Sequence, residues 1–504
     1  MGFSARFWIA LIGWLLLAPA VGMAHVGSPD VYAEGEAGPY RLLVTVRPPL
    51  VIPGVAEIEV RALGGQVSGI SIAPIPLTGE ASKHPPVADA MKQLASDRQF
   101  FTGGLWIMAS GSWQIRFAVQ GAAGAGVLSI PVPATASSTQ GMQAGLGILL
   151  GALGLLLVVG VVGIVGAAAR DAQLPAGESA SGVGRKRALI AMSGALVVMA
   201  GAVWFGNAWW TAEAESYGRY VYKPLTMAAT LAPDQNLRLK IEDPGWLNSR
   251  KMDDFVLDHD HLMHLYLLRQ PALDVVYHLH PEQIAPGEFE LKMPSVEAGQ
   301  YKLYADVVHA TGFPETLVAG MILPEITGRG LEGDDAKGTA PPLSSLRGVN
   351  ACPVNPVAGA RFKLPDGYTM VWENPAVVAA KTPQVFEFGL LDAAGKPSAD
   401  TALYMGMLGH AAFVKEDGSV FAHVHPSGTV SMAALMMAAA QNPVSRKPDA
   451  MASMSGMDHA AHGQGLPNSV GFPYGFPTPG AYRIFVQMKH GATVETAAFD
   501  ACAR

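Results

Sequence analysis

The chain has 504 residues, half of them hydrophobic and only 15% charged, so it holds several domains and is more apolar than most soluble proteins. Its formal charge of −7 leaves no basic footprint, which argues against nucleic acid as a partner. No HExxH, GxSxG or P-loop stretch occurs, so the common signatures of metalloprotease, hydrolase and nucleotide-binding chemistry are missing.

Residues 1–24 read as a signal peptide. Arg6 supplies the charged start, Phe7 to Leu17 the apolar core, and Gly22-Met23-Ala24 a small-x-small cleavage site. Cleavage after Ala24 leaves His25 as the mature N-terminus; an uncleaved anchor is the alternative. Residues 25–135 read as a β-domain, because Leu42-Val44-Val46, Ile58-Val60 and Trp113-Ile115-Phe117-Val119 alternate with polar positions. Pro48-Pro49 and Pro53-Gly54 punctuate these runs, and Val87 to Leu94 is predicted as a short inserted helix.

Residues 143–169 and 188–210 are uncharged and long enough to cross a membrane, the second ending in Trp204, Trp209 and Trp210 as an interfacial belt would. The loop between them, 170–187, carries Arg170, Arg185, Lys186 and Arg187, whereas the outer flanks lack Lys and Arg. The positive-inside rule puts this loop in the cytoplasm and the large segments outside. Gly147 and Gly151 offer a close helix contact. Two spans so free of ionisable residues form no ion path, so a transporter is not expected.

The remainder contains one unit twice. Tyr277-His278-Leu279-His280-Pro281 returns as Ala422-His423-Val424-His425-Pro426. His264 precedes the first by fourteen residues to His278, and His410 precedes the second by thirteen to His423. Gly299-Gln300-Tyr301 leads to His309, and Gly480-Ala481-Tyr482 leads to His490, each Tyr standing eight residues before its His. The first repeat spans 220–325 and the second 359–504, joined by a Gly/Pro/Asp/Ser-rich linker at 326–358; the second carries an insertion at 436–466.

Residues i and i+2 of a strand share a face, so the two histidines of each HxHP project together about 7 Å apart. Each HxHP strand is expected to form a hairpin with the strand holding His264 or His410. The expected outcome is two separate pockets, His264/His278/His280/His309 and His410/His423/His425/His490. Repetition of the whole four-histidine set favours metal binding over satisfied polar residues at strand ends. Asp258-His259-Asp260-His261 adds ligand capacity to the first repeat, or is a solvated loop before a strand.

Met451, Met454, Met457, His459 and His462 interleave thioethers and imidazoles within the insertion, with Met405, Met407, Met432, Met436, Met437 and Met488 in the same repeat. Soft Met ligands select Cu(I) and His also accepts Cu(II), so copper is the expected metal, ahead of zinc; a low-complexity linker is the bland alternative. Cys352 and Cys502 nearly bracket the last repeat. In an oxidising compartment a disulfide between them is the default, and a thiolate metal pair the rival. Neither cysteine has the His and Met spacing of a blue-copper site.

The run Met451 to His462 resembles the Met/His-rich segments of bacterial copper-resistance proteins. Met263-His264-Leu265, His278 to Pro281 and Gly299 to Asp306 resemble a family of exported bacterial β-domains with an MHL…HxHP…GxYKLYAD pattern; Gly409 to Pro426 matches it in part. The first exported domain is similar, more vaguely, to the small Ig-like CopC and YtkA-type domains, through His25, whose α-amine and imidazole would chelate Cu(II), with Asp30 and His84 as further ligands. These resemblances imply copper handling.

The expected architecture is mostly β: three Ig-like β-sandwich domains on the exported side plus a two-helix transmembrane hairpin, in a bacterial inner membrane facing the periplasm. The expected function is copper binding for resistance, storage or delivery to a periplasmic cuproprotein or copper exporter, without catalysis. The alternatives are a metal-dependent copper oxidoreductase and a non-metal Ig-like interaction scaffold of a membrane complex.

Overall fold

A computed structural model describes residues 30–171, 174–175, 177–247, 250–343, 358–374, 377–441 and 465–504. Its β-strands lie in three sequence blocks, each made of two sheets around one apolar core, with two long helices between the first block and the second.

The first unit contains β1 (Val31–Ala37), β2 (Tyr40–Arg47), β3 (Gly54–Ala62), β4 (Val67–Pro76), β5 (Asp89–Ala90), β6 (Lys92–Leu94), β7 (Asp97–Ile107), β8 (Gly111–Gly121) and β9 (Gly124–Ala134). Its sheets run β1-β2-β3-β7-β6 and β5-β4-β8-β9. The predicted apolar positions Leu42, Val44, Val46, Ile58, Val60, Ile115, Phe117 and Val119 all enter the shared core. The helix expected over Val87 to Leu94 is not formed. Met91 alone of that stretch is buried, and the segment pairs along β4 and β7 instead.

Helices α1 (Ala144–Asp171) and α2 (Gly182–Gly218) form an antiparallel hairpin, and both are long and apolar enough to cross a membrane. At about 1.5 Å per residue α2 is longer than the ~30 Å hydrocarbon core of a bilayer. The close approach falls at Gly166, where an added Cβ would meet Met192, whereas Gly151 faces open space. Tyr222 N donates to Ala136 O (2.7 Å), tying the two open ends of the hairpin together.

The first repeat contains β10 (Thr226–Leu231), β11 (Asn236–Glu242), β12 (His264–Gln270), β13 (Val275–Leu279), β14 (Glu282–Ala285), β15 (Glu288–Lys292), β16 (Gly299–Val308), β17 (Pro314–Leu323) and β18 (Ala336–Thr339). Its sheets run β10-β11-β15-β14 and β17-β16-β12-β13-β18. Strand β18 lies inside the stretch expected to be a linker. It pairs with β13, so part of that segment completes the sheet carrying the first HxHP.

The second repeat contains β19 (Ala360–Lys363), β20 (Thr369–Trp372), β21 (Val377–Val378), β22 (Gln384–Leu391), β23 (Thr401–Ala402), β24 (His410–Lys415), β25 (Phe421–Val424), α3 (Met432–Ala440), β26 (Ser469–Tyr474), β27 (Gly480–His490) and β28 (Thr493–Ala503). Its sheets run β19-β20-β22-β26 and β21-β28-β27-β24-β25, with β23 pairing β27.

The two repeats pack sheet to sheet. In β12, Leu265 and Leu267 enter the first repeat's own core, while Tyr266 and Leu268 point to the second repeat. Across the joint stand Ala412, Val414, Phe421 and Phe485, and the Tyr304 and Phe421 rings stack at 4.2 Å and 7°. Both faces of β12 and β24 are therefore buried, which is why they read as unbroken apolar runs. The first unit also joins the second repeat. Ala33 bridges Gly428, and Thr429 N donates to Tyr32 O (2.9 Å). A Cβ at Gly428 would collide with the Tyr32 carbonyl, and its φ of 119° lies in the region that favours glycine.

Candidate metal centre

The hairpins that carry the HxHP motifs have matching registers, Tyr266 opposite His278 and Ala412 opposite His423. His264, His278 and His280 thus share the interface face of one sheet, and His410, His423 and His425 that of the other. Because these faces meet, six histidines expected in two separate pockets form one cluster. His264 and His423 ring centres are 5.3 Å apart, His278 and His423 5.6 Å, and His278 and His410 6.4 Å.

The Asp258–His261 stretch joins this cluster rather than forming a solvated loop. It is a turn with positive φ at His259 and Asp260 and a bridge between Asp258 and His261. The second repeat builds the same turn from Tyr404 to Met407, with positive φ at Met405 and Gly406. His259 Nδ1 lies 2.8 Å from Met405 O, so the two turns touch. His259 crosses to the second repeat's histidines, 4.9 Å from His410 and 4.9 Å from His425. His261 stacks on His280 at 3.7 Å. Asp258 pins the turn: its carboxylate accepts from Ala433 N at the start of α3 (2.7 Å), where Ser431 is the N-cap.

Two triads have ligand atoms within 4.8 Å of one another: His264/His278/His280, and His259/His410/His425. Their tautomers follow from the surroundings. His264 Nε2 is 2.9 Å from the Asp258 carbonyl, which can only accept, so Nε2 carries the proton. His278 Nδ1 is 2.8 Å from Gln487 Oε1 and 3.4 Å from the Tyr404 hydroxyl, which itself donates to Asp334 O (2.6 Å). The proton of His278 therefore sits on Nδ1. His264 Nδ1 and His278 Nε2 then face each other, lone pair to lone pair, at 3.1 Å. Two nitrogens each about 2.0–2.1 Å from one ion, at tetrahedral or square angles, are separated by about 2.9–3.3 Å. The gap has the dimensions of a shared cation.

His259, His280, His423 and His425 repeat the pattern, one nitrogen held and one bare. His280 Nδ1 lies 3.2 Å from Asp335, a carboxylate itself paired with Arg329 at 2.7 Å. His425 Nδ1 faces Val430 O (3.2 Å), and His423 Nδ1 lies 3.3 Å from Asp306 of the first repeat. Nε2 of His259, His280, His423 and His425, and both nitrogens of His410, have no hydrogen-bond partner among the described residues. Such outer partners fix the ring and tautomer of a metal-ligating imidazole.

Burial also holds these rings neutral. It pushes His264, His278, His410 and His423 well below the ordinary histidine range, reinforced by neighbouring histidines, and His425 down to about 3. His280 is lowered by burial against the opposing pull of Asp335. Burial raises Asp306 to about 7. Neutral imidazole is the form that binds metal. A cavity of about 570 Å³, lined by Val31 and Pro49 of the first unit, Phe313, and His264, His423 and His425, reaches the cluster from the junction of the three units.

His309 and His490 do not join it. Strand parity places His309 with Ala305 and Val307 on the core side of its sheet, and His490 with Val486 and Met488 on the core side of the other. His309 Nδ1 pairs with Asp254 (2.7 Å), and His490 lies among Asp366, Asp400 and Glu495. The expected four-histidine pockets are replaced by two three-histidine triads, one completed across the repeat boundary. His25, Met451, Met454, Met457, His459, His462 and Cys352 lie outside the described residues; Cys502 is buried in β28. Asp335, Asp306, Gln487 and Tyr404 had no role in the expected site. Asp306 is the last residue of the GxYKLYAD stretch; Asp335 reaches the site through the pairing of β18 with β13, and Gln487 and Tyr404 through the packing of the repeats.

The fold and site define a mostly β chain with two apolar helices and a histidine cluster where two repeated units meet. A family profile described as a domain of unknown function (DUF8832) matches residues 222–317 and 363–504, which are the two repeats. No curated protein matches. Among solved structures, a tetra-tandem repeat from the extending region of a large adhesion protein is 9% identical with a TM-score of 0.17, covering 90% of this chain and 96% of that one. A putative membrane anchored protein from Corynebacterium diphtheriae is 8% identical with a TM-score of 0.14, covering 94% and 96%. Escherichia coli alpha-2-macroglobulin is 9% identical with a TM-score of 0.20, and the chain spans 23% of its length. Similarities this weak carry no argument about function.

Proposed function

We propose that this chain is a membrane-anchored metal-binding protein that holds copper in paired histidine triads, for resistance, storage or delivery to a cuproprotein. One observation carries the reading: eight histidines converge at a buried joint, seven of them with one nitrogen facing an acceptor, and several with the other nitrogen bare or facing another ring. A packing role gives no reason for two lone pairs to meet at 3.1 Å. In this reading three Ig-like β-sandwich units stand on the periplasmic side of a bacterial inner membrane, with the arginine-bearing loop in the cytoplasm. Cys352 and Cys502 would then form a disulfide in that oxidising compartment. Imidazole triads suit copper and zinc alike, and copper is preferred because the Met/His insertion from Met451 to His462 supplies soft ligands for Cu(I) in the same repeat.

A second reading is a copper oxidoreductase, favoured by the cavity that reaches His264, His423 and His425 and by the Tyr266 ring stacked on His278 at 4.2 Å. Metal analysis of the purified full chain, with single His280→Ala and His425→Ala variants, tests the main reading. Each variant is expected to lose one triad ion. If the copper content of both equals that of the wild type, the triads are not the site. Turnover of reducing substrates that disappears in His425→Ala would instead favour the enzyme.

A further inference from the structure

Besides the central cluster, the repeats share a second set of equivalent positions whose charges have diverged. In the first repeat His309 Nδ1 pairs with Asp254 (2.7 Å) and Nε2 lies 3.8 Å from Glu315. Asp400 stands ten residues before His410, as Asp254 stands ten before His264. Gly491 N donates to Asp400 O (2.9 Å) as Ala310 N donates to Asp254 O (2.7 Å). Glu495 faces Met488 across its hairpin as Glu315 faces Val307. His490, Asp400 and Glu495 therefore repeat His309, Asp254 and Glu315.

The neutralising cation is not repeated. Glu315 is paired with the Arg250 guanidinium at 2.6 Å, and Arg250 also holds Asp243 at 2.7 Å. The second repeat has no Lys or Arg within ion-pair distance of Asp366, Asp400 or Glu495 among the described residues. It adds instead a third carboxylate, with Asp366 Oδ2 2.7 Å from His490 Nε2.

His490 is only 7% exposed, and Nε2 has no hydrogen-bond partner despite that contact. The ring is fixed by Tyr368, stacked at 3.8 Å and 12°, whose hydroxyl donates to Asp400 (3.2 Å). Asp400 lies on the Nδ1 side, 3.5 Å away, so both ring nitrogens face carboxylates. Ligand atoms of Asp366, His490 and Glu495 lie within 4.8 Å of one another. Burial and then the Asp366 charge raise the Glu495 carboxyl, against the opposing pull of the His490 ring.

We propose that Asp366, His490 and Glu495 form a separate divalent-cation site of the zinc type, in which a metal ion supplies the charge that Arg250 supplies in the first repeat. One imidazole and two carboxylates suit zinc and offer no soft ligand to Cu(I). Asp366 is exposed, which leaves room for a water and for exchange with solvent. This site is independent of the copper triads.

The test is equilibrium dialysis of the full chain in detergent against zinc, with metal counted per chain, for the wild type, Glu495→Gln, Asp366→Asn and Asp366→Arg. Each variant is expected to bind one zinc fewer, or to hold its last zinc at least tenfold more weakly, while copper uptake by the triads stays at the wild-type level. Asp366→Arg is further expected to keep the thermal stability of the metal-free wild type, because it restores a guanidinium. Zinc number and affinity within twofold of wild type in Glu495→Gln and Asp366→Asn would overturn the proposal. Failure of the triads to take copper would leave it standing.

Discussion

Gln487 belongs to the second repeat, yet its Oε1 accepts from Nδ1 of His278 in the first, at 2.8 Å. Replacing it with Leu keeps the volume and removes the acceptor. Among the described residues the only other partner of that N–H is the Tyr404 hydroxyl at 3.4 Å, too long to substitute fully. A buried donor left unsatisfied costs about 1–3 kcal/mol. Loss of an outer-shell partner typically weakens metal binding about 10–100-fold, or about 1.4–2.8 kcal/mol at 1.4 kcal/mol per tenfold. The two scales agree, so Gln487→Leu should weaken one copper ion by that factor and leave the ion of the His259/His410/His425 triad unchanged. Gln487→Glu retains an acceptor and should hold both ions at least as tightly as wild type. Competition against a Cu(I) chelator, run on the full chain, resolves the two steps. If Leu and Glu variants lose affinity equally, or if Leu leaves both ions within twofold, then Gln487 does not set the tautomer of His278 and the derivation fails.

Other outcomes follow from burial and packing. The depressed histidines bind protons in the unfolded chain that the folded one refuses. Stability of the metal-free protein should therefore be complete above about pH 6.5 and fall below it, by up to about 1.4 kcal/mol per pH unit for each such histidine. Denaturant midpoints at pH 7.5 and 5.5 check this, and equal midpoints would contradict neutral buried triads. Asp306 carries the opposite sign: with its pKa raised from 3.8 to about 7, its contribution is complete at low pH and is lost as pH rises through about 7. Asp306→Asn should remove that part of the profile, which lies between about pH 4 and 7. Phe421→Ala deletes the ring stacked on Tyr304 in the joint and should cost about 3–5 kcal/mol. It should also weaken both copper ions together, since both triads depend on the joint; unchanged affinity would mean that each repeat binds alone.

Much of the strand pattern was legible because the apolar alternation of single strands is local. Both HxHP strands pair, as expected, with the strands holding His264 and His410. The pairing of repeats was not legible, because alternation marks which residues are buried but not against what. The burial of both faces of β12 and β24 was a signal of it, visible as the runs Leu262 to Leu268 and Ala411 to Val414. The misplacement of His309 and His490 was legible in principle. Each stands eight residues after a Tyr, an even spacing, and Tyr301 and Tyr482 both point into the cores. The role of Asp335 was hidden because β18 is short and polar, and takes its place only by pairing with β13.

The central claim is that two copper ions sit in imidazole triads at the joint. The most direct measurement is copper content with EPR of the Cu(II)-loaded full chain, compared between wild type and a His280→Ala/His425→Ala double variant. The account predicts that the wild type carries two more ions per chain than the double variant, with nitrogen hyperfine structure that the variant loses. Equal copper content and identical spectra in the two proteins would contradict it.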